Sequence, residues 1–179
     1  ITSVNVTNPV GGSILRGNIN ITWTTTGASP GDTVDIVYTT DNFANTVAIA
    51  VNLPFSPGSF NWDTSVPSIP PVSDGNNYKI QVSKHGFPAI QGQTGVFTID
   101  NTAPSVPTVL TPNGGEVIKG GSIYNITWTP ASDVNLAVNP IKIEYAVDGT
   151  TFAVVATNEA NDGTYPWNVP SDNTLNAKI

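Results

Sequence analysis

The sequence contains one five-residue segment twice, and this repetition constrains the fold more than any other feature. Asn-Ile-Thr-Trp-Thr occupies Asn20–Thr24 and returns at Asn125–Thr129. Around both copies the same landmarks follow in the same order: a proline with paired glycines, an apolar segment ending in Tyr, and an aromatic residue two positions before a Trp. A repeat period of about one hundred residues is the size of a whole domain, not of a short solenoid unit. The sequence therefore predicts two tandem copies of one module.

The alignment of the two copies extends over most of the chain. The matched segments are Val6–Ser13 with Val109–Glu116, Val34–Tyr38 with Ile141–Tyr145, Gly58–Trp62 with Gly163–Trp167, Val66–Pro67 with Val169–Pro170, and Lys79–Ile80 with Lys178–Ile179. The spacing between matched segments drifts slightly, as expected when only surface loops change length. We therefore predict a first module at residues 1–100, a short Pro-containing linker at 101–107 and a second module at 108–179.

The second copy stops at an earlier point of the module than the first. Ile179 aligns with Ile80, so the second module lacks a counterpart of residues 81–100 and is predicted to be incomplete. A sandwich without those strands exposes an inner face and an unpaired sheet edge. We expect either that the polypeptide continues or that a strand from another chain completes the sheet, with Ile1–Thr7 as the donor. The absence of an initiator Met and of a signal peptide favours a mature or internal segment.

Alternation of apolar and polar residues sets the phase of the predicted strands. Ile19, Ile21 and Trp23 alternate with Asn and Thr residues, which predicts a half-buried strand with its Trp directed inward. Trp128 holds the same position in the second copy, and we expect Trp23 and Trp62 to meet in the core. Each full module should contain about seven short strands separated by turns, the pattern of an antiparallel all-β sandwich.

The strand after the repeated segment follows the same rule. Its inward residues are predicted as Val34, Ile36 and Tyr38, and its outward residues as Asp35, Val37 and Thr39. In the second copy Lys142 and Glu144 fall on outward positions, so a slip of one residue would bury both charges. The turns that follow contain Asp41 and Asp148, whose side chains suit capping of their own backbone. The prolines Pro67, Pro70 and Pro71 predict an irregular crossing.

Composition narrows the classes of function. Only 11% of the residues are charged, the net charge is −7, and no basic residues cluster, so nucleic-acid binding has no electrostatic basis. The absence of cysteine excludes disulfides, thiolate metal sites and cysteine nucleophiles. The apolar runs have the length of strands, so no membrane-spanning helix is predicted.

No arrangement of residues predicts chemistry. His85 is the only histidine and is expected in a loop or on the surface. Asp32 with Asp35, and Asp41 with Asp63, are the nearest approach to carboxylate pairs, and neither pair matches a calcium-loop pattern. We therefore predict no catalytic, metal-binding or cofactor-binding residues and no enzymatic activity.

Two kinds of surface residue remain as candidates for contact or modification. Asn5, Asn20 and Asn125 each begin an Asn-x-Thr sequon, and the strand phase places these asparagines and their threonines on the outward face. They are candidate glycosylation sites, or simply polar residues of a solvated sheet face. All four tryptophans fall on inward positions, so Phe43 and Phe55 in loops are the remaining aromatic candidates for contacts with sugars.

These motifs resemble two related families. The pattern Val-x-x-Pro-x-Gly-Gly followed by Ile-Thr-Trp-Thr resembles the immunoglobulin-like repeats of secreted and cell-surface proteins of bacteria and archaea, and is similar to the N-terminal domain of fungal cell-wall glucan-assembly proteins. Ile126–Pro130, Ile143–Tyr145 and Asp148-Gly149 resemble a fibronectin type III module. The resemblance implies two tandem immunoglobulin-like sandwiches that act outside the cell as spacer, adhesion or assembly modules. It assigns no ligand residues.

The resulting hypothesis is a non-catalytic structural or adhesive module of an extracellular or cell-surface protein, such as a repeat unit of a surface fibre or layer. Its expected partners are neighbouring repeats or subunits, with strand donation between them, and cell-surface glycans. Nucleic acids and a membrane span are not expected. The alternative is an accessory module of a secreted hydrolase, binding a carbohydrate or a protein partner, with the catalytic domain outside these residues.

Overall fold

A computed structural model describes residues 1–65 and 72–179. The crossing predicted at Pro67, Pro70 and Pro71 lies outside the described residues. In the described part of the chain, all regular secondary structure consists of β-strands, which confirms the predicted all-β class. The chain divides into two compact units, Ile1–Thr102 (unit 1) and Ala103–Ile179 (unit 2).

Unit 1 is a sandwich of two sheets. Its strands are β1 (Ser3–Asn8), β2 (Ile14–Leu15), β3 (Asn18–Thr26), β4 (Thr33–Thr39), β5 (Val47–Pro54), β6 (Ser59–Asp63), β7 (Gly75–Lys84), β8 (Phe87–Gln93) and β9 (Phe97–Ile99). One sheet has the order β1-β3-β6, and the other has the order β2-β9-β7-β4-β5 with β8 also paired to β7. All pairs are antiparallel except β2 with β9. Side chains from both sheets form a single core.

The alternation predicted from the sequence determines which side chains enter that core. Ile21, Val34 and Ile36 are completely buried, and Trp23 is 4% exposed. Their polar neighbours along the strands face outward, because successive side chains of a strand point to opposite faces. Each large core side chain contributes about 1.5–3 kcal/mol by leaving water. The predicted strand phase is therefore confirmed in unit 1.

Two details of unit 1 differ from the prediction. Trp23 and Trp62 do not meet, because the β3–β6 register places Trp62 opposite Ile19, four residues before Trp23. Trp62 instead stacks on Tyr38 of the other sheet, with ring centroids 5.2 Å apart. Thr39, predicted to face solvent, is 2% exposed. The turn after β4 folds over Thr39, whose hydroxyl accepts the backbone N–H of Phe43 at 3.0 Å.

Unit 2 repeats this plan with fewer strands. Its strands are β10 (Thr108–Thr111), β11 (Ile123–Thr129), β12 (Ile141–Tyr145), β13 (Ala153–Glu159) and β14 (Thr164–Asn168). One sheet has the order β10-β11-β14, and the other consists of β12 and β13. The buried core contains Ile126, Trp128, Ile141, Ile143 and Trp167. The inward orientation predicted for Trp128 is confirmed, since it is 5% exposed.

Backbone contacts reproduce the sequence repeat in three dimensions. The N–H of Trp23 donates to the carbonyl of Gly58 at 2.9 Å, and the N–H of Trp128 donates to the carbonyl of Gly163 at 3.0 Å. Both glycines have positive φ, 82° and 84°. A Cβ on Gly58 would lie 2.6 Å from the Trp23 carbonyl oxygen, so the close approach of the strands requires glycine. The matched tryptophan and glycine positions therefore have the same structural role in both units.

Candidate interaction site

Strand β12 has one edge that pairs with a full strand and one that does not. In unit 1, the equivalent strand β4 pairs with β5 on one side and with β7 on the other, from Val34 opposite Lys84 to Thr39 opposite Lys79. In the described part of unit 2, β12 pairs with β13. On the other side of β12, the pairing is limited to a single bridge just after the strand, between Ala146 and Lys178. Peptide groups along this open edge therefore have no strand partner in these residues.

A groove of about 360 Å³ lies beside the open edge. Its apolar wall includes Trp128, Ile141, Ile143, Phe152 and Ile179. In unit 1 the corresponding space is occupied, since β7 and β9 contribute completely or almost completely buried side chains there. These are Ile80, Val82, Phe97 and Ile99. The groove thus lies at the position that β7 and β9 occupy in unit 1.

The rim of the groove carries one pair of opposite charges. The Lys142 ammonium lies 2.6 Å from a Glu144 carboxylate oxygen, and both side chains are more than one third exposed. Such surface pairs contribute little to stability, and here the two charges neutralise each other. The rim therefore presents no net charge to an approaching segment.

The indole of Trp128 also borders the groove, and its buried Nε1–H has no hydrogen-bond acceptor among residues 1–65 and 72–179. Within the same residues, the buried Nε1–H of Trp23 in unit 1 also lacks an acceptor. This shared feature belongs to the repeated module, so it does not by itself mark the groove as a ligand site.

The sequon asparagines lie on the polar outer faces of the sheets. Asn5, Asn20 and Asn125 are all exposed. Of the sequon threonines, Thr7 is exposed, whereas Thr22 and Thr127 are half-buried. They bond across the strands: the hydroxyl groups of Thr7 and Thr22 lie 2.7 Å apart. Thr127 makes the same contact with Thr111 at 2.9 Å. The asparagine side chains have the access to solvent that a glycan needs, and their use as acceptors stays a prediction.

Two of the carboxylates with strongly lowered pKa values, Asp41 and Asp148, are bound by their own turns. The backbone N–H of Asn45 bonds the Asp41 carboxylate and lowers the pKa of Asp41 to about 2. The backbone N–H groups of Thr151 and Thr150 lower the pKa of Asp148 in the same way. The predicted capping role of both aspartates is confirmed. These shifts are accounted for by turn geometry and do not indicate catalysis.

The remaining titratable candidates are dispersed. His85 lies in the turn after β7, as predicted, with Nδ1 2.8 Å from an Asp35 carboxylate oxygen. Asp32 instead contacts the Lys84 ammonium at 3.2 Å, so Asp32 and Asp35 have different partners. In residues 1–65 and 72–179, no three His, Asp or Glu side chains are close enough to hold a metal ion. The same residues contain no helix long and apolar enough to cross a membrane.

The aromatic residues predicted from the sequence to contact sugars are not the exposed ones in the structure. Phe43 and Phe55 are only partly exposed, and Phe55 packs against the core of unit 1. The exposed rings are Phe87 at 58% and Phe152 at 47%, and Phe152 borders the groove of unit 2. The sequence interpretation did not identify Phe152. Its position directly before β13 was the feature that could have indicated an exposed aromatic residue there. Of these two rings, Phe152 lies beside the open edge of unit 2, whereas Phe87 lies in unit 1.

The segment predicted to be a strand donor is already in use. Ile1–Thr7 corresponds to β1, which pairs with β3 inside unit 1. Ile1 is 5% exposed and Val4 is 7% exposed, so both contribute to that core. Donation of this segment to another subunit would remove Ile1 and Val4 from the core of unit 1, and its use as a donor stays a prediction.

No protein-family model matches the chain, and no curated protein matches it. Solved structures do match it. Fibronectin(III)-like modules of Clostridium thermocellum CbhA are 17% identical, with a TM-score of 0.46, over 93% of this chain and 78% of that chain. The FN1–FN3 domains of chicken CNTN1 are 14% identical, with a TM-score of 0.41, over 97% of this chain and 56% of that chain.

Similarities this distant carry no argument about function, so the fold assignment rests on the strand order and pairing of the chain itself. The two sheets of unit 1 close a core between them, and unit 2 repeats that arrangement around Trp128. By its own strand topology, and by the repeated motif that first indicated it, this all-β chain resembles the immunoglobulin-like and fibronectin type III-like repeats.

Proposed function

We propose that this chain is a non-catalytic structural or adhesive segment of an extracellular or cell-surface protein, in which sandwich modules serve as spacers and contact surfaces. The observation that carries the proposal is how the carboxylates with strongly lowered pKa values are bound. Asp41 and Asp148 accept backbone N–H groups of their own turns, and Asp32 accepts a hydrogen bond from the N-terminal ammonium of Ile1. None of these three carboxylates borders the groove of unit 2. Catalytic sites instead gather perturbed groups in a cleft.

The polar surface supports the same conclusion. The outer faces carry uncharged Asn and Thr side chains that bond one another across strands, as Thr7 does with Thr22 and Asn61 with Asn18. Cross-strand pairs of this kind stabilise a sheet. A surface with few charges and internally bonded polar groups suits a module that must stay folded while exposed to solvent.

Protease treatment of intact source cells tests the location. Peptides from residues 1–179 should be released while the cells remain intact, and a cytosolic marker protein should stay protected. Release of these peptides only after lysis would place the chain inside the cell and overturn the extracellular half of the proposal.

A substrate panel tests the non-catalytic half. The purified chain and a Glu144→Gln variant, altered at the rim of the groove, are incubated with polysaccharides, esters and peptides. We expect no turnover above buffer for either protein. Turnover by the native chain that is lost in the variant would identify a catalytic site and refute the proposal.

A further inference from the structure

The turn between β10 and β11 contains Asn113-Gly114, the only Asn-Gly pair in the sequence. Residues 113–116 belong to no strand, and the side chain of Asn113 is exposed. Gly114 has a φ of 126°, a backbone conformation that favours glycine. The aligned residue of unit 1, Val10, is 64% exposed, so access of solvent to this position is common to both units. The turn therefore presents a carboxamide to water directly before a residue without a Cβ.

An exposed Asn before Gly can react with its own backbone without an enzyme or a cofactor. The backbone nitrogen of Gly114 loses its proton to solvent and attacks Cγ of Asn113, and the new N–Cγ bond closes a succinimide ring. The Cγ–Nδ2 bond breaks, and Nδ2 takes up a proton from water and leaves as ammonia. A water molecule then opens the ring at either carbonyl, which leaves aspartate or isoaspartate in place of Asn113. Because Gly114 has no Cβ, no side chain shields the attacking nitrogen.

The Glu116 carboxylate binds the nitrogen that this reaction needs. One carboxylate oxygen accepts the Asn113 N–H at 2.8 Å, and the other accepts the Gly114 N–H at 2.7 Å. Bonding by backbone N–H groups, that of Asn113 first, lowers the pKa of Glu116, so this carboxylate is charged at neutral pH. A negative charge beside the Gly114 N–H opposes the loss of its proton, and the hydrogen bond stabilises the protonated nitrogen. Glu116 should therefore slow the attack by Gly114.

We propose that Asn113 is a site of spontaneous deamidation to aspartate and isoaspartate, and that Glu116 sets the rate by holding the Gly114 N–H. Either product adds a negative charge close to Glu116, and isoaspartate also inserts a methylene group into the main chain. The turn between β10 and β11 thus changes its charge and its backbone as the protein ages. This inference goes beyond the proposed function, because it depends on this turn alone and holds wherever the protein resides.

Timed incubation of the whole 179-residue chain at neutral pH tests the site. Peptide mass spectrometry after proteolysis locates each asparagine that has lost ammonia and gained water, and enzymatic methylation of isoaspartate in the separated peptides quantifies that product. We expect Asn113 to react before every other asparagine. Asn113→Val introduces the residue of unit 1 and is the matched control, in which both signals from this turn should be lost. An unmodified Asn113 at the time when another asparagine has reacted would overturn the assignment.

Glu116→Gln tests the control of the rate, since it keeps the shape of the side chain and removes its charge. In the folded chain, Asn113 should react about threefold to tenfold faster in this variant, as expected when a charged acceptor is lost. In urea the contact with Glu116 is absent, so the native chain and the variant should react at similar rates.

Urea unfolding curves of the native chain and both variants verify that the first comparison is made on folded protein. An equal or slower reaction in the folded Glu116→Gln chain, or the same acceleration in urea, would overturn the role of Glu116. None of these readouts measures cell location or turnover of a substrate, so this inference and the proposed function fail separately.

Discussion

Replacing Trp128 with alanine should remove most of the stability of unit 2. Trp128 is 5% exposed and belongs to a core in which five apolar side chains are buried. A buried Trp removes on the order of 150–250 Å² from water, equivalent to about 4–6 kcal/mol at 25 cal/mol per Å². Measured truncations of large core residues cost about 3–5 kcal/mol. We therefore expect a loss of about 3–5 kcal/mol in the free energy of unfolding of unit 2.

The same change in unit 1 provides the comparison. Trp23 is 4% exposed in a core of fourteen buried apolar side chains. A unit the size of Ala103–Ile179 has a total stability of roughly 4–12 kcal/mol. An equal loss of unfolding free energy is therefore a larger fraction of the stability of unit 2 than of unit 1. Trp128→Ala should accordingly lower the urea midpoint of unit 2 more than Trp23→Ala lowers that of unit 1.

Urea unfolding followed by resolved amide signals of each unit measures both effects. Leu175→Ala is the control, because Leu175 is fully exposed and its truncation should change the free energy of unfolding by less than about 0.5 kcal/mol. A cost below about 1 kcal/mol for Trp128→Ala would show that the indole is not part of the core, and the strand phase of unit 2 would then be wrong.

Three further changes test separate parts of the structure. Gly163→Ala places a Cβ 3.0 Å from the Trp128 carbonyl oxygen, so it should destabilise unit 2 more than Gly115→Ala, which has the same φ of 84° and no such neighbour; urea midpoints compare them. The pKa of Asp41 is lowered to about 2, so its stabilising contribution is present above the unfolded pKa near 3.9 and is lost as the pH falls towards 2. Asp41→Ala should reduce that acid dependence in urea titrations from pH 6 to pH 2. Asn125→Gln alters only an exposed side chain, so the melting temperature should stay unchanged while any glycan at that sequon disappears from the intact mass.

The strand phase could be predicted because it follows from local alternation. Val34 and Ile36 are buried, and Lys142 remains exposed, because one residue in two faces the core wherever a sheet has one solvated face. Comparing the two copies strengthened this inference. Where the apolar residues of one copy allowed either strand phase, the charged residues at the aligned positions of the other copy excluded one of them. The capping aspartates could be predicted for the same reason, because an Asp in a turn bonds its own backbone.

Features that depend on pairing between strands could not be predicted. Strand β8 was missed because Pro88 and Gly92 interrupt its alternation, although an edge strand tolerates both. The stacking of Trp62 on Tyr38 depends on the register of β3 with β6 and on the facing sheet, which no local pattern specifies. The exposed edge of unit 2 was predicted from the alignment, but its groove and the position of Phe152 required the folded structure.

Hydrogen exchange in β4 and β12 tests the central claim most directly. The claim is that these are equivalent strands of one repeated module, with neighbours on both sides of β4 and a full strand on only one side of β12. Amides of β4 should exchange slowly along the whole strand, because both edges are paired. In β12, amides directed towards β13 should exchange slowly and those directed towards the open edge should exchange rapidly. Uniform protection of β12, equal to that of β4, would contradict the account.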